Sequence, residues 1–158
     1  DRSVSRGLGD VYKRQMLLAE IAVLCSYIKR RKHLTLLADR DCKVAVSELE
    51  RAFSESLQTL KLLNVRNTLY VDSELSALSG KNAAAILDFY EEVIEADLEN
   101  LTSVQISLAN INGLRLSLNV CCEADLSIFL NKGNILYEMD DDAGYQHLVF
   151  IIEGGAAV

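Results

Sequence analysis

The stretch DFYEEVIEADLENLTSVQISL, residues 88–108, changes period halfway along its length. Phe89, Val93 and Ala96 recur at helical spacing, with Ile86 before them and Tyr90 and Ile94 beside them. Val104, Ile106 and Leu108 then alternate, as they do in a strand with one buried face. Ser79 and Gly80 precede the pattern, so a helix is expected over about 81–99, leading within a few residues into a strand. The same stretch carries six carboxylates, Asp88, Glu91, Glu92, Glu95, Asp97 and Glu99, and no glycine or basic residue. They fall mostly around the circumference left by the apolar face. They belong either to an acidic catalytic or metal-binding helix or to a solvated scaffold helix.

Working outward, Leu114, Leu116, Leu118 and Val120 form a second alternating strand, and Asn112-Gly113 between the two is a hairpin signal. A short helix is expected over 124–131. A second hairpin closes the chain, with 134–139 and 145–152 joined by DDDAG (Asp140–Gly144). On the N-terminal side, residues 67–71 suit a strand. Before them Leu49, Phe53, Leu57, Leu60 and Leu63 mark a helix. Ser47 and Glu50 at its start have the spacing of a capping box, and Asn64 is a plausible stop. Residues 39–46 are a polar break ending in a possible small strand, Val44-Ala45-Val46. Residues 17–38 form a first helix with Leu18, Ile21, Cys25 and Ile28 on one stripe, widened by Leu17 and Leu24. That stripe is too apolar for a lone surface helix and asks for a partner. The basic run Lys29–Lys32 behind it reads as a solvated turn of helix, with contact to an anionic partner or membrane surface as the sharper reading. Helices on one side of a mixed, mainly antiparallel sheet make a two-layer α/β sandwich, here preceded by one long helix.

The composition is that of a soluble globular chain: 158 residues, half apolar and a quarter charged, with no proline or tryptophan. A net charge of −7 argues against non-specific nucleic-acid binding. No apolar run approaches the ~18 residues of a membrane span. The four cysteines, at 25, 42, 121 and 122, form no CxxC pair, so no metal is expected and reduced thiols are the simplest reading.

Residues 1–15, DRSVSRGLGDVYKRQ, resemble a segment that recurs at the broken ends of unrelated metagenomic reading frames, where adapter DNA has been translated. They are expected to be a non-native tail with no role in the fold. Gly7-Leu8-Gly9 lacks a preceding strand and a full phosphate-loop fingerprint.

From Met16 onward the element order resembles the ATP-binding domain of bacterial sensor histidine kinases, of the GHKL ATPase (Bergerat) type. EIAVLCSYIKRRKHLTLLA (20–38) is similar to the second helix of the dimerisation hairpin in a Firmicute group of these kinases. SELERAFSESLQTLKLLNV (47–65) is similar to the first helix of their ATP domain. ILDFYEEVIEADLENLTSVQISL (86–108) resembles the helix that in active members carries a Mg²⁺-holding asparagine. The resemblance implies a dimerisation-type helix over 16–40 and an ATPase-like domain over 41–158.

Three departures from that pattern stand out. The Glu-x-x-x-Asn of active members falls on Glu92 and Ala96, or with one residue of slippage on Glu91 and Glu95; neither frame supplies Asn. The adenine-reading Asp-x-Gly-x-Gly is replaced by CCEADLSIFLNKG (121–133), where Glu123 or Asp125 is the nearest carboxylate and no glycine follows before Gly133. The long Gly-rich lid is absent. His33 lies outside a phosphoacceptor context and reads as a helix-end residue, and His147 reads as a strand residue.

The resemblance therefore implies a degenerate kinase-core module in which Glu92, Ala96 and Asp125 are remnants of a nucleotide site. It implies a cytoplasmic homodimer through residues 17–38, with a response regulator as a possible further partner and no cofactor. Membrane attachment and the phosphoacceptor histidine would lie upstream of Met16. The alternative is the ATP-binding region of a working kinase with divergent motifs, which would take ATP and Mg²⁺. A carboxylate hydrolase built on Glu91/Glu95 or Glu92/Glu95 needs a shared cleft and perturbed pKa values. Helix neighbours on a polar face are the commoner setting for such pairs.

Overall fold

The computed structural model describes residues 2–39 and 42–152; the outer ends of the chain and two residues of the expected polar break lie outside the described residues. Helix α1 (Arg2–Asp39) leads into strand β1 (Lys43–Ala45), helix α2 (Val46–Leu62), strands β2 (Arg66–Val71) and β3 (Ala77–Ser79), and helix α3 (Gly80–Ala96). A 3₁₀ turn (Leu98–Asn100) then precedes β4 (Ser103–Asn110) and β5 (Leu114–Cys121). A longer 3₁₀ segment (Leu126–Lys132) and the hairpin β6 (Ile135–Asp140) and β7 (Tyr145–Ile152) complete the fold.

The main sheet has the order β2-β4-β5-β7-β6, with β2 parallel to β4 and every other pair antiparallel. β1 and β3 pair separately as a small antiparallel ribbon. The protein is thus a two-layer α/β sandwich with a mixed, mainly antiparallel sheet and a long N-terminal helix, the architecture expected from the sequence. Alternation fixes the register. Val104, Ile106 and Leu108 of β4 oppose Val120, Leu118 and Leu116 of β5, and all six are buried. Phe89 ties α3 to this layer, meeting Phe150 of β7 and Phe129 edge-on at centroid distances of 5.1 and 6.0 Å. Phe53 of α2 meets Tyr90 of α3 edge-on at 5.0 Å, and Ser56 Oγ lies 2.8 Å from the Tyr90 hydroxyl.

Helix α2 stops at Leu63 through Asn64, whose φ is +61°. The Asn64 N–H donates to Lys61 O and the Val65 N–H to Leu60 O, which also accepts from the Leu63 N–H, so the last turn's carbonyls are satisfied. The start of α2 differs from expectation. Helical backbone already begins at Val46, the N-cap is Ala45, and no side chain caps it, so Ser47 and Glu50 form no capping box. Pairing of β1 with β3 anchors this end instead, and the Val46 N–H donates to Ser76 O. At α3, Ser79 is the N-cap, its Oγ accepting from the Asn82 N–H at 3.1 Å. The helix expected over 124–131 is a 3₁₀ segment, ended by Gly133 at φ +69°.

Helix α1 is longer than the expected 17–38, since nothing between Gly9 and Met16 stops a helix propagating towards the N-terminus. The side chains of residues 5–15 are all exposed. Leu18, Ile21, Cys25 and Ile28 are also exposed. The opposite side of the helix packs on α2 and α3 through buried Val23 and Leu34, with Met16 and Tyr27 partly buried against the core. Among the described residues no helix is long and apolar enough to cross a membrane.

A chain beginning at Met16 is expected to melt within about 2 °C of the full chain, because an exposed helical extension adds little burial. Thermal unfolding followed by circular dichroism checks this; a larger fall would make Tyr12 and Gln15, which border a groove against α2, part of the fold.

Candidate functional site

The three sequence-derived site positions lie near the C-terminal end of α3 and on the β5–β6 connection, and each has its own surroundings. Glu92 is exposed and forms an ion pair with Lys132 Nζ, in the 3₁₀ segment. The Lys132 ammonium also lies 5.7 Å from the Phe129 ring centroid. Ala96, the last residue of α3, offers no donor or acceptor side chain and borders a shallow groove shared with Glu20, Val23 and Leu24 of α1. Asp125 caps the 3₁₀ segment, accepting from the Ser127 N–H at 3.0 Å. That bond holds its carboxyl below the usual Asp range.

Two residues that sequence reasoning passed over organise this region. Asp97 Oδ2 accepts from the N–H groups of Glu123 and Ala124 at 2.9 and 2.8 Å, and Oδ1 accepts from Asn100 Nδ2 at 2.9 Å. Partial burial pushes its pKa up, but the bonds from Ala124, Asn100 and Glu123 together outweigh this and hold the carboxyl below its ordinary value. Gln146 of β7 is buried. Its Oε1 accepts from the Leu126 N–H at 2.8 Å and the Tyr137 hydroxyl at 2.9 Å, while Nε2 donates to Ala124 O at 2.8 Å. The segment Cys122–Leu126 is therefore pinned from two sides. Gln146 had a sequence signal: it occupies an inward register position of β7 two residues before buried Leu148. Asp97 had none that set it apart from the other acids of the stretch.

The acidic face of α3 is only partly solvated, which corrects the expectation for Glu91. Asp88 Oδ1 accepts from the Tyr27 hydroxyl and from Arg31 Nε, both at 2.7 Å. One turn on, Glu91 is only 3 % exposed and its Oε1 has no hydrogen-bond partner. Burial, and then the charge and hydrogen bond of neighbouring Glu95, push its carboxyl up to about 8. The physical reason is α1, which covers this stripe where an exposed polar face was read. Glu95 thus acts on Glu91, whereas Glu92 faces Lys132. The basic run is divided similarly: Arg30 pairs with Glu55 of α2 and Arg31 with Asp88, so half of Lys29–Lys32 holds the helices together. His147 Nδ1 meets Asn119 Oδ1 on the open face of the sheet.

No protein-family model matches the sequence, and a search of curated proteins finds no match. Among solved structures, the chain is similar to a bacterial phosphotransferase at 8 % identity and TM-score 0.47, over 86 % of this chain and 89 % of that one. It is also similar to the cytoplasmic segment of histidine kinase QseC at 12 % identity and TM-score 0.49, over 88 % and 95 %.

Asp97→Ala is expected to cost about 1.5–3 kcal/mol, since the N–H groups of Glu123 and Ala124 and the Asn100 side chain lose a charged acceptor. Because the folded-state pKa is depressed, this contribution is present above the ordinary Asp range and is lost as pH falls through the folded value. Urea denaturation at pH 7 and at pH 3 tests both points: the gap between wild type and Asp97→Ala should shrink in acid.

Proposed function

We propose that this chain is a non-catalytic relative of the sensor histidine kinase core, a dimerising protein-interaction module on an ATPase-type scaffold, working in the cytoplasm. The observation that carries this reading is the state of the three positions where nucleotide chemistry would sit. Glu92 is committed to Lys132, Ala96 has no oxygen to offer a metal, and Asp125 is used as a cap. The connection after β5 is held by Asp97 and Gln146 in place of a glycine-rich approach to a base. Acidic residues crowd the same end of α3, so a polyphosphate would meet repulsion, and Lys132 is already paired with Glu92.

ATP with Mg²⁺ is therefore expected not to bind. Losing the metal and adenine contacts together costs roughly 3–6 kcal/mol, enough to take a micromolar site to roughly millimolar or weaker. Isothermal titration calorimetry decides it. Saturable binding at roughly tens of micromolar, about 6–7 kcal/mol of affinity, would replace this reading with that of a working kinase with divergent motifs.

The partner surface in this reading is the outer stripe of α1. Leu17, Leu18, Ile21, Leu24 and Ile28 are between 44 % and 65 % exposed and continuous at helical spacing. An apolar strip of that length on a helix tends to be covered, and a second copy supplies the same strip across a two-fold axis. A response regulator is a further candidate partner. Light scattering is expected to give a dimer or larger species, returned to monomer by Ile21→Asp. A monomer at high concentration, unchanged by that substitution, would sink the dimer assignment.

A further inference from the structure

The interface between α1 and α3 contains a carboxylate that packing alone does not require. Ala84, Asp88, Glu91 and Glu95 follow one another at spacings of three and four residues, so they line one stripe of α3. Asp88 is anchored to Tyr27 and Arg31 of α1, and Ala84 is buried. Glu91, between Asp88 and exposed Glu95, is buried with one oxygen unpartnered. A carboxylate in that position is tolerated as the neutral acid, while its ionised form would have to be re-solvated.

We propose that docking of α1 onto α2 and α3 is a proton-dependent latch, closed while Glu91 is neutral and loosened when Glu91 ionises. The inference stands on the packing of one chain and does not rest on the functional reading above. The surrounding charges favour it. Glu95 of α3 acts on Glu91 directly and Tyr27 of α1 senses it; Asp88 of α3, one turn back, holds Arg31 of α1, Glu20 of α1 borders one groove with Glu95, Arg30 of α1 is paired with Glu55 of α2, and Glu92 of α3 is paired with Lys132. The nearby cations are already committed, Arg31 to Asp88 and Arg30 to Glu55, and Lys132 beyond them to Glu92. Neither Arg30 nor Arg31 is left over to neutralise an ionised Glu91, and Glu95 opposes its ionisation. Burial, with the bond to Asp88 adding to it, pushes the Tyr27 hydroxyl up to about 12, so this residue stays neutral wherever Glu91 titrates.

The sign follows from the raised value. With α1 undocked, Glu91 returns toward the ordinary Glu range; docked, it holds its proton to about 8. Docking is therefore fully favoured below the ordinary Glu range and weakens progressively as pH rises through about 8.

Amide hydrogen exchange on the full chain between pH 6 and 9, corrected for the intrinsic rate, reads the latch. It is run in the Ile21→Asp background, so that self-association cannot protect α1. Protection over residues 20–34 should fall by about tenfold or more across that range, while β4 and β5 keep theirs. Glu91→Gln, neutral at every pH, should keep α1 protected at pH 9. Asp88→Asn should lower protection at every pH without removing the pH dependence. A flat profile for α1, an equal fall in Glu91→Gln, or a simultaneous fall in the strands would each overturn the latch. The effect of Ile21→Asp on molecular mass, measured separately, bears only on the dimer assignment.

Discussion

Helix α3 is covered on two sides, and most of the structure follows from that constraint. Its apolar face, Ile86, Phe89, Val93 and neighbours, sits on the sheet, while a second stripe lies under α1. A helix enclosed in this way cannot place every polar residue in water, so polar side chains at its boundary need partners. Asp88 finds Tyr27 and Arg31, and Glu92 finds Lys132. Glu91 is left with an oxygen that has none. Arg30 with Glu55 extends the same logic to α2. The long N-terminal helix is thus held to the α/β scaffold by the Arg30–Glu55, Arg31–Asp88 and Tyr27–Asp88 contacts beside buried Val23 and Leu34. Such an interface is more responsive to pH and salt than the sheet beneath it.

The loop after β5 shows how a short connection can be made rigid without regular structure. Cys122–Leu126 contributes backbone N–H groups from Glu123, Ala124 and Leu126 and a carbonyl from Ala124, and each has a side-chain partner. The partners come from opposite directions, Asp97 from the end of α3 and Gln146 from β7. Because the Ala124 N–H and carbonyl go to different elements, this residue links the helix layer to the sheet. Buried backbone polar groups must be paired, and here two side chains supply what a longer loop would satisfy with its own turns.

Much of the fold was legible because its signals were local. Alternation in 104–108 and 114–120, the Asn112-Gly113 turn and the apolar positions of α2 and α3 each fix an element and its buried face. The failures were tertiary. The Ser47/Glu50 pattern was overridden when the β1–β3 ribbon fixed the start of α2 two residues earlier, with Ala45 as the N-cap. Ala77–Ser79 was not read as a strand because three residues carry no usable periodicity. Glu91 looked solvated because periodicity locates one apolar stripe and is silent about a polar stripe covered by another helix. On α1 the sequence pointed to the stripe through Leu18 and Ile21, which is exposed. The face that packs, through Val23, Tyr27 and Leu34, is less apolar and stood out less.

The six carboxylates of residues 88–99 can now be separated by what each does. Asp88, Glu92 and Asp97 are engaged with α1, with Lys132 and with the Glu123–Ala124 backbone respectively. Glu91 is buried, and Glu95 and Glu99 are exposed. An acidic helix serving one catalytic centre would turn its carboxylates toward a common cleft, because acids shift each other's pKa strongly only when they lie close together in a partly desolvated place. Here the acids point to different neighbours around the circumference, and only Glu91 and Glu95 influence one another. The clustering that makes the stretch conspicuous in sequence is therefore a projection: one turn of helix after another meets a different part of the molecule, and each meeting calls for its own charge.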